Sequence, residues 1–112
     1  MTVSAEHIFR ARGAVHISDL ARRQAMCTRH FEREFQRTIG TTAKSFARVA
    51  RFQAALDAKV VAPQRTWLDI AHHFGYHDQM HMVHDFRALG SFAPNHLIEQ
   101  MGDMRPPALA SA

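Results

Sequence analysis

The sequence lacks the features that mark secreted and membrane-spanning proteins. Its single cysteine, Cys27, cannot form an internal disulfide, as is typical of chains that fold in a reducing cytoplasm. No apolar run approaches the roughly 18 residues that a membrane-spanning helix needs, and no signal-peptide pattern is evident. We therefore expect a cytoplasmic protein with no membrane partner.

The sequence also lacks the patterns of β-structure and of common enzyme classes. No segment alternates apolar and polar residues with the period of two that a half-buried strand requires. No glycine-rich phosphate loop or paired-carboxylate arrangement is present, and Cys27 with His30 is a chance spacing on a helix rather than a catalytic dyad. We therefore predict an all-α protein that is not an enzyme.

Charge is distributed unevenly along the chain, whose formal net charge is +4 over 112 residues. Residues 1–62 carry eleven Lys and Arg against five Asp and Glu, whereas residues 63–112 carry three against five and hold six of the nine histidines. A basic segment of this kind suggests a polyanionic partner. We expect the first half of the chain to make most of that contact.

The most informative feature present is an internal repeat. Residues Ile17–Ala21 (ISDLA) recur fifty positions later as Trp67–Ala71 (WLDIA), and each copy is followed by a polar break and an aromatic-rich helical stretch. Self-similarity at a fixed period indicates a repeated structural unit. The repeated unit is a helix, a tight turn and a second helix, so the sequence predicts two tandem helix-turn-helix modules.

Apolar spacing and capping residues predict about seven helices. We expect the first module in residues 1–42, a long linker helix in 43–59, the second module in 60–104 and a disordered tail in 105–112. Within this scheme the helices cover approximately residues 3–12, 17–25, 28–38, 43–59, 67–75, 78–89 and 94–101.

These modules resemble the DNA-binding domain of the AraC/XylS family of bacterial transcription regulators over about residues 15–98. The second module carries the closest match and the first a looser one, while Arg51-Phe52 fits the linker helix. The second-module match comprises Asp69-Ile70-Ala71, Phe74 to Gln79, His81, Asp85-Phe86-Arg87 and Pro94. The first-module match comprises Leu20-Ala21, Arg29, Phe31, Arg33, Phe35 and Gly40. Cys27 stands where the family usually has a capping serine, and His84 replaces a usual arginine.

The resemblance implies a sequence-specific double-stranded DNA-binding protein whose two recognition helices enter successive major-groove segments. Solvent-facing residues near the start of a recognition helix reach base edges. In the first module these are Thr28, Arg29, Glu32 and Arg33. In the second they are His77, Gln79, Met80, Val83 and His84. Phosphate contacts are expected from Arg37, Lys44, Arg48 and Arg87.

Two alternatives remain open at this stage. His77 and His81 have the i, i+4 spacing of zinc ligands, with His84 and Asp85 beside them, so a metal-responsive module is one alternative. A small helical adaptor that binds protein through Phe and Met side chains is the other. The expectation is that no metal or other cofactor is bound.

The sequence does not fix the wider biological setting. The chain has no room for the separate ligand-binding domain that the resemblance would bring, so it is either a stand-alone short regulator or a fragment. The resemblance suggests a bacterial protein that associates with the nucleoid when bound, and it leaves RNA polymerase open as a further partner. The target sequence, the direction of regulation and the oligomeric state stay undetermined.

Overall fold

The computed structural model describes residues 1–89, and the regular structure in that range is entirely helical. This confirms the all-α prediction. The seventh predicted helix, residues 94–101, and the predicted tail lie outside the described residues. The six helices are α1 (Thr2–Arg10), α2 (Ile17–Arg23), α3 (Thr28–Ile39), α4 (Ala43–Val61), α5 (Trp67–His73) and α6 (Gln79–Ala88).

Capping residues determine where the helices begin and end. Gly40 follows α3 in the left-handed conformation, with a φ of 101°, which glycine adopts without steric cost. The Thr42 hydroxyl accepts from the Ser45 amide at 3.1 Å at the start of α4, and the Thr66 hydroxyl accepts from the Asp69 amide at 3.1 Å at the start of α5. These predicted caps are confirmed.

Several predicted boundaries differ from the structure by one or two residues. Helix α1 ends at Arg10 rather than at residue 12 and α2 at Arg23 rather than at residue 25, because Arg12 and Ala25 are left-handed. Helix α4 continues to Val61, two residues beyond Lys59, because no glycine or proline interrupts it before Pro63. Helix α5 ends at His73, with Phe74 as its C-cap, rather than at Gly75. The Asp69 carboxylate also departs from the capping-box pattern, since it accepts from Arg65 Nε at 2.7 Å.

The chain divides into two compact units, and the division falls within α4 after Gln53. The first unit contains α1, α2, α3 and most of α4 around an aromatic core. Phe31 and Phe35 are fully buried, as their one-turn spacing predicts, with ring centroids 6.0 Å apart. Phe35 in turn meets Phe46 edge to face at 5.8 Å, a geometry that the ring quadrupoles favour.

The segment after α1 packs very closely on α4. Gly13 has a φ of 77°, and a side chain there would meet the Ala47 carbonyl oxygen at 2.2 Å. The Arg51 guanidinium donates to the Gly13 carbonyl oxygen at 3.2 Å. Helix α1 also makes a polar contact with the residue after α2, since the Gln24 amide donates to the buried Ser4 hydroxyl at 2.8 Å. Helix α1 is therefore an integral part of the first unit.

The second unit has its own apolar core on the described residues. Trp67 on α5 packs edge to face on Phe86 of α6, with ring centroids 5.7 Å apart. The Lys59 ammonium lies 5.1 Å from the Trp67 ring centroid and donates to the Arg65 carbonyl oxygen at 2.6 Å. The other buried apolar side chains in this unit are Ala55, Leu56, Ile70, Ala71, Tyr76, Met82 and Val83.

Candidate nucleic-acid interface

The turns between α2 and α3 and between α5 and α6 have the same backbone conformation. Ala25 and Gly75 occupy corresponding positions, and both are left-handed, with φ values of 56° and 78°. The following amides of Met26 and Tyr76 donate to the carbonyl oxygens of Ala21 and Ala71, fifty positions apart, at 2.9 and 3.0 Å. The sequence repeat is therefore a repeat of backbone conformation as well.

The helices after these turns, α3 and α6, each begin with a side-chain cap. The Cys27 Sγ accepts from the His30 amide at 3.4 Å, and the Asp78 carboxylate accepts from the His81 amide at 2.7 Å. Each cap satisfies an amide that the first helical turn leaves without a backbone partner. Both helices therefore start at a defined position after the turn, as a DNA-reading helix must.

Helix α3 has an apolar side that faces the core and a basic side that faces solvent. With about 3.6 residues per turn, Arg29 and Arg33 lie one turn apart, opposite the buried Phe31 and Phe35, and both arginines are exposed. Thr28, at the start of the helix, is exposed too. Their exposure leaves these three side chains accessible, and their contact with base edges stays a prediction.

Gln36 belongs to the same solvent-facing side of α3, although it is not among the residues that the sequence predicts to face bases. It is exposed and follows Arg33 by three residues and Arg29 by seven, spacings that keep all three on one side of a helix. The helical period alone could have identified it. The predicted base-facing residues of α3 end at Arg33 and therefore do not include Gln36.

Glu32 has a different role from the one expected, because its carboxylate is used inside the protein. Its two oxygens accept from the backbone amides of Ala43 and Lys44, at 2.5 and 3.1 Å, and the side chain is half-buried. A carboxylate that caps the first turn of α4 does not point to a cytosine amino group. The expected base contact of Glu32 is therefore replaced by an intramolecular one.

Arg37, expected at a phosphate, forms an ion pair with Glu34 one turn earlier on α3. The hydrogen bond from Arg37, together with the nearby positive charges of Arg37, His30 and Arg33, lowers the pKa of Glu34 below its ordinary value. The lowered pKa of Glu34 extends its ionised form to more acidic pH. In the protein without DNA, Glu34 holds the guanidinium of Arg37.

Helix α6 presents a solvent-facing side of different chemistry. Met80 is 61% exposed, and His84 and Arg87 are exposed one and two turns further along. Arg87, expected only at a phosphate, thus shares a side with two residues expected to face bases. Gln79 is half-buried and has a partner within the protein.

Val83 is not on that side of the helix. It is 6% exposed and belongs to the core together with Met82 and Phe86, which are fully buried. The buried arc of α6 is wider than a narrow Met82–Phe86 stripe, and Asp85 is also buried. Because Val83 is enclosed by the protein, it is not available to a thymine methyl group, which corrects the expected base contact.

The histidines at the start of α6 form a turn contact. The His77 amide donates to His81 Nδ1 at 3.1 Å, and the Tyr76 ring meets the His81 ring edge to face at 5.4 Å. His77 itself is exposed and precedes the helix. Within residues 1–89 there is no group of three or more His, Cys, Asp or Glu side chains placed to hold a metal ion.

The remaining phosphate candidates lie on α4. The Lys44 side chain is exposed near the start of the helix, while its amide is bound by Glu32. Arg48, one turn later, is half-buried and has a partner within the protein. Lys44 is therefore the α4 residue most accessible to a phosphate.

The structure has two helix-turn-helix motifs with the same backbone turn. In each, the second helix begins with a side-chain cap and has a solvent-facing side, an arrangement that defines a DNA-binding class of protein. The comparison with known families agrees, because residues 20–100 match a family described as "Helix-turn-helix domain". The chain belongs to this AraC-type family of DNA-binding domains, which act in transcription regulation.

The other comparisons add no closer relative. Neither the search of curated proteins nor the search of solved structures gave a match. Among the described residues, no helix has both the length and the apolar character needed to cross a membrane.

Proposed function

We propose that this protein binds specific double-stranded DNA sequences through α3 and α6, which enter successive major-groove segments, and thereby regulates transcription. The observation that carries this proposal is the duplicated turn, with Ala25 and Gly75 left-handed at matching positions and a capped helix after each. Major-groove segments on one side of B-DNA recur about every 34 Å, or about ten base pairs. One chain would then cover a site that other helix-turn-helix proteins cover as dimers.

In this proposal α3 supplies the stronger base contacts. Arg29 or Arg33 pairs bidentately with guanine O6 and N7, a contact that contributes about 1–3 kcal/mol of base discrimination. Gln36 is suited to adenine N6 and N7 by the same geometric principle, and Thr28 is placed to reach the backbone or a base at the start of the helix. The exposure of these side chains on one side of α3 supports the assignment.

Helix α6 supplies a weaker and less charged set of contacts. Met80 packs on a thymine methyl group, and His77, His84 and Arg87 bond to bases or phosphates. Gln79 would reach adenine only by exchanging its partner within the protein. The two helices are therefore unequal, and α3 dominates both affinity and base discrimination.

Phosphate contacts complete the proposed interface. Lys44 is exposed beside α3, and Arg37 can reach a phosphate once it exchanges Glu34 for DNA. Arg48 and Arg87 are further candidates in α4 and α6. Phosphate contacts fix the orientation of the protein on the duplex without carrying sequence information.

The setting that follows from this function is the bacterial cytoplasm, with the protein associated with the nucleoid when it is bound. Regulation also requires that the bound protein either contact RNA polymerase or exclude it from a promoter. RNA polymerase is therefore a proposed partner.

Selection of bound duplexes from a random pool tests the proposal. The expected product is a motif with two sequence elements whose centres are about ten base pairs apart. The more strongly selected element should contain the guanines that Arg29 or Arg33 contacts. A single short element would contradict the role of α6. An absence of enrichment would contradict DNA reading altogether and favour the protein-binding adaptor.

A further inference from the structure

Glu32 connects two helices through a pair of hydrogen bonds that DNA binding does not explain. It lies on α3 between Arg29 and Arg33, and its carboxylate accepts from the Ala43 and Lys44 amides at the start of α4. The first of these amides lies eleven positions after Glu32 in the chain, beyond the Gly40 turn. The contact is thus tertiary.

Two of the backbone amides in the first turn of α4 have their hydrogen-bond acceptor in Glu32. The amides of Ala43 and Lys44 are held by Glu32, and those of Ser45 and Phe46 by the Thr42 hydroxyl and carbonyl oxygens. A helix N-terminus carries partial positive charge, so an ionised carboxylate there makes charge-assisted hydrogen bonds. No acidic residue in the first turn of α4 could substitute for Glu32.

The contact also limits how α3 can rotate about its own axis. The apolar contact between Phe35 and Phe46, with centroids 5.8 Å apart, holds α3 against α4 at one point. Glu32 adds a polar contact one turn earlier on α3, where Ala43 is fully buried. Two contacts one turn apart fix the direction in which the neighbouring Arg29 and Arg33 point.

We infer that Glu32 is a positioning residue: it locks the start of α4 to the recognition helix and so sets the presentation of Arg29 and Arg33 to DNA. This inference rests on the proposed DNA-binding function. It reverses the expectation that Glu32 itself reads a base. The same contact keeps a negative charge of the recognition helix directed at backbone amides and away from the phosphates.

Two substitutions at Glu32 and one matched control separate the possible roles. Glu32→Ala removes the contact, and Glu32→Gln keeps one acceptor oxygen without the charge. Glu34→Gln makes the same change of charge two residues later, at a side chain that pairs with Arg37 and not with α4. Circular dichroism establishes that each variant retains its helical content.

Amide hydrogen exchange without DNA tests the lock itself. In Glu32→Ala, exchange at Ala43 and Lys44 should accelerate about tenfold or more, because charge-assisted hydrogen bonds are lost. Glu32→Gln should lie between wild type and Glu32→Ala, and Glu34→Gln should change these two rates by less than about twofold. Equal rates in wild type and Glu32→Ala would overturn the inference. If Glu32→Ala does not fold, the Glu32→Gln rates decide in the same way.

Duplex selection and titration at fixed salt test the positioning role. Glu32→Ala should lose about threefold to tenfold in affinity for the enriched duplex and relax the preference at the guanine positions that Arg29 and Arg33 read, because these arginines are no longer held in one direction. Glu34→Gln should not lose affinity. Relaxed preference confined to a base pair whose preference survives in Arg29→Ala and Arg33→Ala would show that Glu32 itself reads a base, and unchanged affinity would show that it positions nothing.

The two proposals fail in distinguishable ways. If wild type enriches no duplex, the proposed function and the positioning role both fail, while the exchange rates still decide whether the lock exists. If wild type reads DNA but Glu32→Ala exchanges normally at Ala43 and Lys44, the lock alone fails.

Discussion

At the scale of single residues, the two helix-turn-helix turns differ in how well their residues suit the backbone. Ala25 and Gly75 share one left-handed position, a conformation that costs an L-residue about 1–2 kcal/mol and glycine almost nothing. A side chain at Gly75 would meet no atom within 4 Å. The two turns therefore differ in the conformational cost of the residue at this position, and not in a clash between its side chain and the rest of the protein.

The shared left-handed position predicts opposite effects on stability when Ala25 is replaced by glycine and when Gly75 is replaced by alanine. Ala25→Gly should raise the free energy of unfolding by about 0.5–1 kcal/mol, which is the relief of strain less the greater entropy of glycine in the unfolded chain. Gly75→Ala should lower it by a similar amount, and Gly75→Asn by less, because asparagine tolerates the left-handed region. Urea denaturation followed by circular dichroism measures these changes. A loss of stability in Ala25→Gly would contradict the shared backbone design.

Residue-scale features were only partly predictable from the sequence. The caps at Thr42 and Thr66 and the glycine after α3 follow from local patterns, and the structure confirms them. The long-range cap by Glu32 does not follow from them, because local patterns relate residues three or four apart and this contact depends on how α3 packs on α4.

At the scale of the helix, α3 and α6 combine similar frameworks with different outer sides. Phe31 and Phe35 in α3 correspond to Met82 and Phe86 in α6, and the four are fully buried. The helical period predicted these core positions. It did not predict that Val83 is buried, since the width of the buried arc depends on the neighbouring helices that cover it.

The difference between the outer sides predicts unequal effects of truncation. Arg29→Ala should weaken binding to an enriched duplex by about tenfold to a hundredfold, since it removes a bidentate contact of about 1–3 kcal/mol. Gln79→Ala should weaken it by less than about threefold, because Gln79 is half-buried and engaged within the protein and a base contact there brings little net gain.

Arg10→Ala is a suitable control for this comparison. It removes the same charge from an exposed position on α1, outside both helix-turn-helix motifs, and should change affinity by less than about threefold. Fluorescence anisotropy at fixed salt measures all three variants. Similar losses for Arg29→Ala and Gln79→Ala would contradict the dominance of α3.

At the scale of the whole molecule, the uneven charge of the sequence agrees with the different solvent-facing sides of α3 and α6. Residues 1–62 hold eleven of the fourteen Lys and Arg residues, and α3 exposes arginines where α6 exposes Met80 and His84. The repeat in the sequence indicated that the chain conformation after α2 would recur after α5, and the turns at Ala25 and Gly75 do share it. It could not predict that the Glu32 carboxylate is engaged within the protein, because that contact depends on how α3 packs on the start of α4.

The basic first half predicts a binding affinity that depends on salt through identifiable residues. Lys44→Ala should reduce the magnitude of the slope of log affinity against log salt by about 0.9, because one phosphate contact and its released counterion are lost. The loss of affinity should be the same for enriched and altered duplexes, since a phosphate contact carries no base information. Titrations at several salt concentrations measure the slope, and an unchanged slope would rule out this contact.

The central claim is that the chain reads DNA sequence, and the most direct test compares two duplexes at one salt concentration. The dissociation constant of wild type is measured for an enriched duplex and for a scrambled duplex of the same length and composition. The account predicts that the enriched duplex binds at least about a thousandfold more tightly, the lower range for specific recognition. Equal dissociation constants for the two duplexes would contradict the claim.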